Sequence, residues 1–129
     1  MYNYDSPSTI DVRMVSLDEH ATVEKLPVPR GVIMDIEGAE YFALKGMPSI
    51  LEKTGFLYIE YVPHHLKNVS GVSNEEFFEL ILPHFNYARF MRIHAGVINL
   101  RQERDAFFAL VRDFSENEKS DDILFLKTL

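Results

Sequence analysis

The chain has 129 residues, enough for one domain with one modest core, and 47% of them are hydrophobic, so it should fold. A net charge of −7 argues against a nucleic-acid backbone as the main partner, because counterion release needs a basic surface. With no cysteine there is no disulfide scaffold or thiolate zinc site, and no apolar run approaches the ~20 residues that span a bilayer. No basic and apolar leader opens the chain, so a soluble, cytoplasmic domain without a membrane partner is expected.

Met1–Thr9 is polar and reads as a loose arm before a body covering residues 10–129. Ile10–Leu17 alternates, with Ile10, Val12 and Met14 on one side, and predicts a half-buried strand. Asp18 is placed to cap a short helix to Glu24, which Pro27 and Pro29 stop. Val32–Ile36 is a short apolar run of strand length, interrupted by Asp35 and punctuated by Gly38. From Ala39 apolar residues recur at helical steps, with a kink or restart expected before Pro48.

Phe56–Val62 is nearly continuous in apolar residues, which predicts a strand buried on both faces, and Pro63-His64-His65 reads as the loop beyond it. Ser73 or Asn74 should cap a helix that Pro83 closes. Tyr87–Ile93 reads as a strand, residues 95–100 are ambiguous, and Arg101–Phe114 is helical. After a charged segment, Ile123–Lys127 reads as a last strand. There is no internal repeat.

A strand, an acidic turn and a helix around Asp35 make half of a βαβ unit, and open α/β sheets bind ligands at the carboxyl ends of their strands. Asp35-Ile36-Glu37-Gly38-Ala39-Glu40, followed by Leu44-Lys45-Gly46 and later by Tyr58-Ile59-Glu60, resembles the signature of the FkbM family of S-adenosylmethionine-dependent methyltransferases. Val15-Ser16-Leu17-Asp18 is similar to that family's upstream Leu-Asp element, whereas Ile33 stands where the family usually carries lysine.

The resemblance implies a class I (Rossmann-like) fold whose last strand is antiparallel. It also implies methyl transfer from S-adenosylmethionine, usually to an oxygen of a small molecule or sugar. The element order from residue 31 matches the second half of such a fold. No glycine-rich turn precedes residue 31, so the expectation is the carboxyl-terminal half alone, with its cofactor-binding residues unassigned and cofactor binding by this chain weak. The fold class is accordingly α/β, a mostly parallel sheet with flanking helices.

Asp35 is the candidate to position the acceptor or take its proton, with Glu37 beside it as a second catalytic candidate. Glu40, Glu60 and His64 are substrate-binding candidates, although acids in a first helical turn are stabilising in any case. A carboxylate within an apolar strand needs a partner or a raised pKa. Asp35, Glu60 and His64 or His65 are the types that hold a divalent metal, but the expectation is an arginine or backbone partner for Glu60 and no metal.

The other readings are a non-catalytic module that completes a partner chain, or a metal-dependent hydrolase using Asp35, Glu60 and His64. The absence of an H-x-x-E-H or H-x-H-x-D pattern counts against the hydrolase. The Val32–Ile36 edge, lacking a neighbour on one side, is expected to be covered by a second copy or a partner chain.

Overall fold

The computed structural model describes residues 10–93 and 96–129; the arm expected over Met1–Thr9, together with His94 and Ala95, lies outside them. In chain order the elements are α1 (Leu17–Val23), β1 (Gly31–Met34), α2 (Glu40–Lys45), α3 (Pro48–Lys53) and β2 (Phe56–Tyr61). A single turn, α4 (Pro63–His65), runs on into a π-helical stretch, Leu66–Ser70. Then come α5 (Asn74–Glu79), β3 (Tyr87–Phe90), β4 (Ile98–Asn99), α6 (Arg104–Glu116) and β5 (Asp121–Leu126). No helix among the described residues is long and apolar enough to cross a membrane.

The sheet order is β1-β2-β5-β3-β4. Only β1 and β2 pair in parallel; β5 runs antiparallel between β2 and β3, and β4 antiparallel to β3. The sheet is therefore mixed, which corrects the expectation of a mostly parallel one. The last strand returns antiparallel into the gap between two strands that share a direction, so it converts two possible parallel neighbours into antiparallel ladders.

Burial alternates strictly along β2 and β5, so only one face is packed. Met34, Leu57, Ile59, Tyr61, Phe90, Ile123 and Phe125 join Leu44, Leu51, Phe77, Phe78, Phe107 and Phe114 from the helices in one core. Phe78 meets Phe107 edge-on at 5.0 Å between centroids, a favoured aromatic geometry. Tyr61 donates its hydroxyl to Asn74 Oδ1 at 2.8 Å, and burial pushes its phenol up to about 12. The other face carries Phe56, Tyr58, Glu60, Leu124 and Leu126, all half-buried, and Ile33, 77% exposed. Burial of β2 on both faces is thus corrected: its continuous apolar run serves a core on one side and a partly open sheet face on the other.

The start of the body departs most from expectation. Residues 10–16 form no strand, and Ile10, Val12 and Met14 are exposed, because alternation alone supplies no neighbouring ladder. Ser16, not Asp18, caps α1, its hydroxyl accepting from Glu19 N. Asp18 instead caps α3, accepting from Ser49 N at 2.7 Å and Ile50 N at 3.0 Å, where Met47 in the cap position offers no oxygen of its own. The break before Pro48 is present as two separate helices, α2 and α3. α5 begins with a complete capping box between Ser73 and Glu76 but ends at Glu79, short of Pro83.

Candidate functional site at the carboxyl ends of β1 and β2

β1 ends at Met34, and the chain turns at once. Ala39 N donates to Ile36 O at 3.3 Å, closing a turn whose central residues, Glu37 (φ 57°) and Gly38 (φ 98°), both have positive φ. Glycine is at home there; glutamate is not, and the turn holds Glu37 in a sparsely populated conformation.

Gly38 is also a point of close approach. A Cβ on it would lie 2.8 Å from Val69 Cγ2 and 3.0 Å from His65 Cβ. Ser70 Oγ donates to Gly38 O at 2.6 Å, so the π-helical stretch after α4 is fastened onto the turn after β1. That contact brings His65 against Glu37, Nδ1 to Oε2 at 3.7 Å.

The sequence-nominated residues separate into two groups. Asp35, Glu37 and Glu60 gather at adjacent strand ends. Asp35 and Glu37 are exposed, and among the described residues none donates a hydrogen bond to the Asp35 carboxylate. Glu40 points elsewhere: it is 3% exposed and accepts from Ile36 N at 2.9 Å, bracing the turn from inside. His64 is exposed and turns to Asn68, one helical turn on, so His65 is the imidazole at the rim.

No described arginine or backbone N–H pairs with Glu60, which corrects that expectation. Instead β5 places Asp122 directly across from it. Burial, then the charges of Asp35 and Glu37, push the Glu60 carboxyl above the usual glutamate range, with His65 acting in the opposite direction. Arg92 stands 3.9 Å from Asp122 and balances part of that charge. Asp122 was not foreseen, because its position across from Glu60 depends on where β5 enters the sheet. His65 was legible only as one of an adjacent pair; a helical turn in place of the expected loop selects between them.

The rim is open. Two clefts of about 280 and 320 Å³ lie elsewhere, one between α1 and α3 and the other beside Leu82 and Arg104, and neither is lined by Asp35, Glu37 or Glu60.

An α/β domain with an acidic turn at the carboxyl end of a parallel strand is the class of protein this geometry defines. More narrowly, the family model described as "Methyltransferase FkbM domain" matches residues 2–91, and the chain belongs to that family. The match takes in β1, the acidic turn, β2 and β3, while β4, α6 and β5 lie beyond it. No curated protein and no solved structure matches the chain.

Proposed function

We propose that the chain serves S-adenosylmethionine-dependent methyl transfer, to an oxygen of a small molecule or sugar, with the rim of Asp35, Glu37 and Glu60 as the acceptor side of the site. The observation that carries this is the position of the family's acidic turn. Within the matched segment it presents an exposed and unengaged Asp35 carboxylate at the end of β1.

S-adenosylmethionine, when bound, supplies the methyl group on a sulfonium centre. Asp35 accepts the acceptor's hydroxyl proton as its oxygen becomes the nucleophile, and Glu37 and Glu60 orient neighbouring hydroxyls by accepting their hydrogen bonds. His64, turned toward Asn68, is left out of this acceptor role. The open strand ends suit an acceptor, but the described residues do not enclose a cofactor of that size. The antiparallel β5 between two strands of common direction supports a relation to the second half of a class I, Rossmann-like sheet. The lack of cysteine fits a cytoplasmic setting.

Transfer of labelled methyl from S-adenosylmethionine to a panel of sugars and hydroxylated small molecules tests the reading. Asp35→Asn should lower turnover about 10²-fold, the usual scale of a lost acid–base role, with little change in the urea midpoint. An unchanged rate accompanied by a large loss of stability would make Asp35 a structural residue.

The outer edge of β1 has no neighbour among the described residues, and exposed Ile33 and Ile36 flank it. Such an edge invites another chain. Association at micromolar concentration, read by sedimentation, is the expected result. A clean monomer with Val32–Ile36 amides protected from exchange would reject it.

A further inference from the structure

We propose that Glu37, Glu60 and His65 form a binding site for one divalent first-row metal ion of the manganese or zinc kind. One ligand atom from each residue lies within 4.8 Å of the other two, and the three come from separate elements: the turn after β1, β2 and α4.

A second observation is independent of that clustering. Nδ1 of His65 is buried and has no hydrogen-bond partner, yet it faces Glu37 Oε2 at 3.7 Å. That separation is too long for a hydrogen bond. It is an ion-pair separation that also fits two ligands on one tetrahedral ion such as zinc, since bonds of ~2.0–2.2 Å opened by ~110–120° set their donor atoms ~3.3–3.8 Å apart.

The charges agree. Glu60 lies beside Glu37 and directly across from Asp122, and no described lysine or arginine pairs with Glu37 or Glu60. A cation at this point would relieve repulsion among three carboxylates and give the orphaned ring nitrogen a partner. An imidazole nitrogen with two carboxylates suits manganese or zinc, whereas calcium and magnesium prefer all-oxygen shells. The Ser70–Gly38 hydrogen bond ties the helical stretch after His65 to the turn that carries Glu37. Glu37 is exposed, so the remaining coordination positions open to water.

Cation binding needs neither S-adenosylmethionine nor an acceptor, so its outcome is separate from that of methyl transfer. The chelator-stripped chain is titrated with Mn²⁺ alone, following the free ion by electron paramagnetic resonance at moderate salt, which screens loose attraction to a net charge of −7. Zn²⁺ is then tested as a competitor. One bound Mn²⁺ per chain is expected. Sub-stoichiometric Mn²⁺ should broaden the nuclear resonance signals of Glu37, Glu60 and His65 before others.

Glu60→Gln and His65→Gln should each weaken binding about tenfold or more. Glu24→Gln, an exposed acid at the far end of α1, should leave it unchanged. Absence of binding up to millimolar Mn²⁺, or equal binding by wild type and both rim variants, would overturn the site. The broadening pattern in the wild-type chain decides the matter even if a variant fails to fold.

Discussion

Gly38→Ala is expected to destabilise the chain by about 2–4 kcal/mol, read as a fall in the urea midpoint at unchanged slope. Two causes add. At φ 98° a residue with a Cβ is strained, which costs about 1–2 kcal/mol. The new methyl would also sit 2.8–2.9 Å from the Val69 side chain and 3.0 Å from His65 Cβ, closer than packed carbon atoms approach. Relief requires lifting the Leu66–Ser70 stretch off the turn, which would stretch the Ser70–Gly38 hydrogen bond and move His65 from Glu37. The same variant should therefore disturb the rim as well as the fold. A change below about 0.5 kcal/mol, the ordinary surface range, would show that the turn relaxes freely and does not position the site.

Asp121→Ala should cost about 3 kcal/mol, since buried charge-assisted hydrogen bonds are lost together. Asp121 opens β5, fully buried, with Oδ1 accepting from Arg92 N at 2.8 Å and from Asp122 N at 2.7 Å. Oδ2 accepts from Ile93 N at 3.3 Å. One carboxylate thus ties the end of β3 to the start of β5, beside the Glu60–Asp122 pair. Asp121→Asn keeps one acceptor oxygen and should lose roughly half as much. Equal losses for the two variants would show that the carboxylate charge, rather than the number of acceptor bonds, sets the cost.

The local grammar of the chain was legible where short-range chemistry decides it. The strand expected over Val32–Ile36 and found as Gly31–Met34, the helix break at Pro48, and the cap expected at Ser73 or Asn74 and found at Ser73 follow from patterns within a few positions. What failed depends on partners distant in sequence. Ile10–Leu17 alternates like a strand but has no ladder, and β2 reads as buried on both faces although helices pack one side only. The direction of β5 is not written in Ile123–Lys127, so neither the mixed sheet nor the Asp122–Glu60 pairing was visible.

In the site, Asp35 and Glu37 could be nominated from the turn they occupy. Glu40 shares their motif, yet from the first position of α2 its carboxylate turns inward to accept from Ile36 N. Choosing His65 over His64 required knowing that Pro63 begins a helical turn rather than a loop.

The central claim is that the Asp35 rim is the acceptor side of a methyltransferase site and does not itself seat the cofactor. Calorimetric titration of S-adenosylmethionine into this chain and into its Asp35→Asn variant tests it most directly. The account predicts weak or no binding, the same for both proteins, because the strand ends are open and Asp35 faces the acceptor. Tight, stoichiometric binding to the wild type that is lost in Asp35→Asn would contradict it and place the cofactor on this rim.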